Sequence, residues 1–188
     1  MHYRLSIAGQ HNIKNSLAAA ACALVAGVAP EAVARGLEAF VPVKGRSRAL
    51  SLQVRDRNCT VVDDTYNANP DSVRAAIDVL AELPGPRLLV LGDMGEVGSQ
   101  GPQFHAEAGR YAQERGIEHV LTLGTLARHA ADHCLGARHF DAMEDLNVVA
   151  VTALAAVNSV LVKGSRFMRM ERVVDALLSH ARGEASCC

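Results

Sequence analysis

Asp63 and Asp64 close a β-branched run that begins Val61-Val62, and Tyr66, Asn67 and Asn69 follow within five positions. Two carboxylates at the end of a strand are natural acceptors for ribose hydroxyls, and neutral amides suit the edge of a base or a peptide. Pro70 then opens an amphipathic stretch with Val73, Ala76, Ile77 and Leu80 at helical spacing. Proline fits the first helical position, where its missing N–H would have no partner. Asn69 is placed to cap the free N–H groups of that turn, and Asp71 favours the positive end of the helix dipole. The polar loop therefore joins the carboxyl end of a strand to the start of a helix, where open α/β sheets bind ligands. Each side chain alone could merely satisfy local backbone; the set together reads as a site.

Other candidate groups are less specific. Arg46 and Arg48 lie in a Pro- and Gly-containing stretch without periodicity, 41–48, where they could meet phosphate or form a solvated basic linker. Gly92-Asp93-Met94-Gly95-Glu96-Val97-Gly98 spaces its glycines G-x-x-G-x-x-G, which is not the dinucleotide fingerprint, and no G-x-x-x-x-G-K-[ST] phosphate loop occurs in the chain. His129 and His133 stand one helical turn apart beside Cys134, but no third metal ligand is evident, and His105 poses a weaker form of the same question. No metal site is expected from these residues.

The elements that must position these groups alternate. Strands are expected at 49–54, 59–62, 87–91, 118–123, 137–140 and 159–162, and helices at 70–83, 102–115, 125–134, 143–156 and 167–180. Continuous apolar runs such as Leu88-Leu89-Val90-Leu91 suit buried parallel strands. The pattern predicts an α/β fold, a Rossmann-like, mostly parallel sheet with helices on both faces. Upstream, 3–8 reads as a short strand, 9–15 as a turn, 16–26 as an Ala-rich helix stopped by Gly27, and 30–40 as a helix with Val33, Leu37 and Phe40 on one face. These apolar helices need a larger surface than one strand supplies. Residues 1–42 are therefore expected to be the end of a preceding domain, with a linker at 43–48, a second domain at 49–183 and a tail at 184–188.

Composition bounds the function. A formal net charge of −1 without any Lys/Arg-rich run argues against a nucleic-acid binder. No apolar run reaches the roughly 20 residues that span a bilayer, and Met1-His2-Tyr3-Arg4 lacks the form of a signal peptide. Cys22, Cys59, Cys134, Cys187 and Cys188 show neither metal spacing nor a disulfide framework, consistent with a reducing, cytoplasmic setting.

Several stretches together carry a resemblance. Gly9-x-His11-Asn12-Ile13-x-Asn15-x-Leu17-Ala18-Ala19-Ala20, Gly45-Arg46, Asp63-Asp64-Thr65-Tyr66-Asn67-Ala68-Asn69-Pro70-Asp71-Ser72, Leu91-Gly92-Asp93-Met94-x-Glu96-x-Gly98 and Val162-Lys163-Gly164-Ser165 are similar, in order and spacing, to the C-terminal part of the Mur ligase family. Ser16, Thr65 and Val97 depart from the usual Ala, Ser and Leu. Within the family, the loops at 63–70 and 92–98 resemble the member that joins D-Ala-D-Ala to UDP-MurNAc-tripeptide in peptidoglycan precursor synthesis. The resemblance implies an ATP-dependent peptide ligase, with activation of a carboxylate as an acyl phosphate followed by attack of the dipeptide amine. It implies that 1–42 is a helical remnant of a central ATPase domain. The phosphate loop, the Mg2+ ligands and a carbamylated lysine would lie upstream, and the fragment would be inactive alone.

Carried over by position, the resemblance puts His11, Asn12 and Asn15 by the ATP, with Asn15 at the adenine edge, Arg46 at the phosphates as the catalytic cation, and Asp64 at the ribose. For the dipeptide it offers Tyr66, Asn67, Asn69, Asp93, Gly124, Lys163 and Arg166, with backbone N–H groups of 92–98 and 124–125. A monomer is expected. The alternatives are the equivalent part of another Mur-type ligase, such as the diaminopimelate-adding or folate polyglutamate enzyme, or a free-standing α/β nucleotide- or amino-acid-binding module without catalysis.

Overall fold

The structure is a computed structural model that describes residues 1–7 and 9–185; Ala8 and the pair Cys187 and Cys188 lie outside the described residues. Two compact units form, one spanning Met1–Val43 and the other starting at Lys44.

The first unit is a helical pair, α1 (Gln10–Val25) and α2 (Pro30–Glu38). Helix α1 starts at Gln10, directly after Gly9 at φ 102, so His11, Asn12 and Asn15 lie on its first turns rather than in a preceding loop. It ends in a Schellman turn: Gly27 takes φ +84, and the Val28 N–H donates to the Ala23 carbonyl at 3.0 Å. Helix α2 has Pro30 in its first turn, where no N–H is needed. The strand expected at 3–8 is absent over 3–7. A strand requires a neighbour to take its N–H and C=O groups, and here the contacts are of another kind. The Tyr3 hydroxyl lies 3.0 Å from Ser16 Oγ, and the Arg4 N–H donates to Glu38.

The second unit contains β1 (Arg48–Val54), β2 (Arg57–Asp64), α3 (Pro70–Ala81), β3 (Arg87–Gly92), α4 (Gly101–Glu114), β4 (His119–Leu123), α5 (Arg128–Asp132), β5 (Arg138–Phe140), α6 (Met143–Ala153), β6 (Ser159–Lys163) and α7 (Glu171–Ala185). The six-stranded sheet has the order β1-β2-β6-β3-β4-β5. Strand β1 runs antiparallel to β2 through a two-residue turn at Arg55 and Asp56, and the other pairs are parallel. Alternate residues along each strand serve opposite faces. Val61, Leu88, Val90, Leu121, Val160 and Val162 pack with Leu146, Leu154, Val173 and Leu177 of the α6–α7 side. Val62, Leu89, Leu91, Val120 and Leu161 pack with Val73, Ile77, Leu80, Ala108 and Ala112 of the α3–α4 side. Both faces are covered, so the central strands are apolar throughout.

Helices α6 and α7 depart from their expected spans for identifiable reasons. The stretch 167–180 divides because Arg169 takes a left-handed conformation, φ 51, between a 3-10 turn at Arg166–Met168 and α7. Helix α6 stops at Ala153, and the Arg57 guanidinium then takes the carbonyls of Leu154 and Val157 at 2.7 and 2.9 Å. Leu154 is the C-cap of α6, where a helix end leaves carbonyls without partners.

Strand β6 is inserted between β2 and β3. The chain leaves β2 and β3 toward one face and leaves β6 toward the other, which creates a crevice at the carboxyl edge. Met170, fully buried, fills its floor. Gly92 and Gly164 make that possible, because a Cβ at either would fall 2.9 or 2.6 Å from the Met170 side chain.

Candidate functional site

The polar loops of the second unit converge at this carboxyl edge, and the consecutive acids organise them. Asp63, buried at the end of β2, accepts the Gly45 N–H at 3.0 Å through Oδ2 and the Thr65 hydroxyl at 2.6 Å through Oδ1. Asp64 Oδ1 accepts the Ser47 N–H at 2.9 Å and the Ser47 hydroxyl at 3.2 Å. The Tyr66 N–H returns a hydrogen bond to the Gly45 carbonyl at 2.9 Å. Gly45 is needed here: its φ is +81, and an added Cβ would sit 3.1 Å from the Tyr66 nitrogen. Ser47 also has positive φ, 50, and its bonds to Asp64 hold it there. Arg46 thus stands on a three-residue loop fixed on both sides, with an exposed guanidinium 3.9 Å from the centroid of the Tyr66 ring.

Lys163, at the end of β6, is buried. Its ammonium pairs with Asp64 Oδ2 and donates to the Asn67 carbonyl at 3.0 Å. The pairing follows from register, because Asp64 and Lys163 are aligned partners in the parallel ladder. Asn67 Oδ1 accepts the Ala68 N–H at 2.9 Å. Asn69 caps α3 in a reciprocal box with Ser72: its side chain accepts the Ser72 N–H at 2.8 Å, and Ser72 Oγ accepts the Asn69 N–H at 3.0 Å. Arg166 is exposed and pairs with Glu171 at 3.2 Å.

Asp93 and Gly124 meet. Asp93 Oδ1 accepts the N–H groups of Leu126 and Ala127 at 3.0 and 2.7 Å. Gly124 takes φ +110, and a Cβ there would lie 2.6 Å from the Asp93 carboxyl. Ser165 joins the neighbouring loops: its hydroxyl accepts the Gly95 N–H and donates to the Ala68 carbonyl, while its N–H donates to the Asp93 carbonyl at 2.9 Å.

His105 supports the glycine loop from below. Fully buried on α4, it accepts the Met94 N–H at Nε2, 2.9 Å, which leaves Nδ1–H to donate to the Gly101 carbonyl at 2.7 Å. Burial pushes its pKa down, opposed by the Gly101 hydrogen bond and the charge of Asp93. Among the described residues no three His, Cys, Asp or Glu side chains gather as a metal site.

Of the residues singled out from the sequence, Arg46, Asp64, Tyr66, Asn67, Asn69, Asp93, Gly124, Lys163 and Arg166 all stand in the carboxyl-edge loops of the second unit. His11, Asn12 and Asn15 stand on α1 of the first. What the sequence reading missed are partnerships: Asp63 with Gly45, Asp64 with Ser47 and Lys163, His105 with Met94. The one available signal was a lysine closing an apolar strand, since an ammonium there needs an anion.

A doubly wound α/β unit with convergent polar loops and an exposed arginine at its carboxyl edge is the architecture of a ligand-binding domain. The Mur ligase, glutamate ligase domain matches residues 45–166, and the chain belongs to the Mur ligase family. It is 40% identical over 176 residues to the UDP-N-acetylmuramoyl-tripeptide–D-alanyl-D-alanine ligase of Escherichia coli, covering 92% of this chain and 38% of that protein. Among solved structures, MurF from Acinetobacter baumannii superposes with a TM-score of 0.83 at 35% identity, covering 94% of this chain and 39% of that one. The MurF ligase of Thermotoga maritima, solved in complex with ADP, has a TM-score of 0.81 at 24% identity, covering 97% and 41%. The chain thus spans about two fifths of the length of these relatives.

Proposed function

We propose that this chain is the carboxyl-terminal portion of an ATP-dependent ligase that joins D-Ala-D-Ala to UDP-MurNAc-tripeptide in the cytoplasm. The observation that carries the reading is the Arg46 loop, an exposed guanidinium on backbone pinned by Asp63 and Asp64, in a chain 40% identical to a ligase of that name. ATP would supply the phosphoryl group that activates the peptide carboxylate. The donor set fits such a ligand: the planar guanidinium offers paired N–H donors to phosphate oxygens, and its loop is already ordered, so little rearrangement accompanies binding. Asp64 would meet the ribose with the lone pair left on Oδ2 after its bonds to Ser47 and Lys163. His11, Asn12 and Asn15 would serve the adenine side.

The magnesium ligands would belong to an upstream portion, and no step here runs through the ion. For the dipeptide, Arg166 is the exposed cation on the rim, whereas Lys163 is committed to Asp64 and acts by holding the loops together. Asp93, Gly124, Asn67 and Asn69 would shape the loops whose N–H groups face the substrate.

The 188 residues contain no phosphate loop and are expected to be inactive alone. Phosphate release from ATP, dependent on D-Ala-D-Ala and UDP-MurNAc-tripeptide, is expected from the full-length ligase and not from this chain. Release by the isolated chain, or a full-length enzyme that takes other amines and ignores D-Ala-D-Ala, would refute the reading.

A further inference from the structure

We infer that Tyr66 is a positioning residue for Arg46, aiming its guanidinium at a phosphoryl group of the nucleotide; this rests on the reading that Arg46 meets phosphate. A long exposed side chain samples many rotamers and loses that freedom whenever it engages an anion. The Tyr66 ring removes part of that cost in advance by holding the guanidinium carbon 3.9 Å from its centroid. A stack does this without using the N–H donors, which lie in the guanidinium plane and stay open to phosphate oxygens. A carboxylate partner would occupy them, and among the described residues no carboxylate pairs with Arg46.

The backbone matches this role. Tyr66 and Arg46 are tied to each other by the Tyr66 N–H on the Gly45 carbonyl, and Gly45 and Ser47 are each bonded to one of the two acids. The backbone segments that carry ring and guanidinium therefore belong to one hydrogen-bonded unit. A second stack among the described residues is built differently. Arg74 lies 3.8 Å from the Tyr111 ring, but the Tyr111 hydroxyl donates to Asp78, and Asp78 also pairs with Arg115, a clamp across α3 and α4. Tyr66 remains 46% exposed and joins neither hydrophobic core cluster, so its ring contributes little to the fold.

The test uses Tyr66→Phe, which keeps the stack, and Tyr66→Leu, which removes it. In this chain, the Arg46 side-chain protons are expected to show an upfield ring-current shift, retained with Phe and lost with Leu. In the full-length ligase, Tyr66→Leu is expected to lower kcat and kcat/KM for ATP roughly two- to fivefold more than Tyr66→Phe does. In an Arg46→Ala background, Tyr66→Leu is expected to add nothing. Absence of the ring-current shift overturns the inference, as does an equal effect of Tyr66→Leu in both backgrounds or a Phe variant as slow as the Leu variant. A full-length enzyme without any D-Ala-D-Ala-dependent turnover instead overturns the functional reading, and the inference with it.

Discussion

Breaking the Asp64–Lys163 pair from its two ends is expected to give unequal losses of stability. Lys163→Met leaves a carboxylate that is 16% exposed and still accepts two hydrogen bonds from Ser47. Removing one partner of a buried pair costs about 3–5 kcal/mol in general; the remaining donors and solvent contact place this variant at about 2–3 kcal/mol. Asp64→Ala leaves an ammonium whose side chain is 3% exposed, with the Asn67 carbonyl as its one remaining partner, and it also strips the Ser47 N–H and hydroxyl of their acceptor. That variant belongs at about 4–5 kcal/mol. The double variant is expected to cost less than the sum, with a coupling of about 1–3 kcal/mol. The chain has no tryptophan, so urea unfolding of the 188 residues followed by far-UV circular dichroism is the suitable assay, with a Tm difference between the single variants of about 2–12 °C as a second readout. Equal losses, or a sum that is strictly additive, would show that the ammonium and the carboxylate do not depend on each other.

Three further outcomes follow from the packing. His105 has a folded pKa below its ordinary 6.5, so the unfolded chain takes the proton first; stability is full above about pH 6.5 and falls as the pH drops through 6.5 toward the folded value. Unfolding free energies between pH 7.5 and 5.5 should show this slope, and His105→Gln should flatten it; an unchanged slope would place its origin elsewhere. Gly109→Ala brings a Cβ within 2.1 Å of the Ala130 carbonyl oxygen, a clash with backbone of the facing element, and should cost about 2–4 kcal/mol or prevent folding, whereas Gly183→Ala, with nothing within 4 Å, should be neutral or slightly stabilising. In α1 only Ser16 and Ala20 are buried while Ile13, Leu17, Leu24 and Val25 are exposed, so its amides should exchange faster than those of β3 in this chain; equal protection in a proven monomer would refute that.

Much of the fold is legible in local pattern. Period-two runs such as 50–54, continuous apolar runs such as 87–91 and helical spacing such as Val73, Ile77 and Leu80 report which face of each segment avoids water, and that is a property of neighbouring residues. The cap at Asn69 is legible for the same reason, since all its parts lie within four positions. Boundaries slipped where a distant group intervened, as when Arg57 took the carbonyls at the end of α6, or where one residue adopted a conformation that its type does not signal, as Arg169 did.

The sequence by itself determined that two acids and a polar loop stand at the carboxyl end of a strand in a parallel α/β unit, because strand, turn and helix signals are short-range. Only the tertiary structure decided what the acids do. Whether Asp64 faces solvent or a lysine depends on β6 being inserted beside β2, with Asp64 and Lys163 in register across the ladder. Whether Arg46 is a loose linker cation or a fixed donor depends on Asp63 and Asp64 reaching back to Gly45 and Ser47, and on the Tyr66 ring lying against its guanidinium. Such partnerships join residues far apart in the chain, and hydrogen-bonding capacity written in a sequence does not say which of several donors will arrive; the crossover connections and the strand register make that choice.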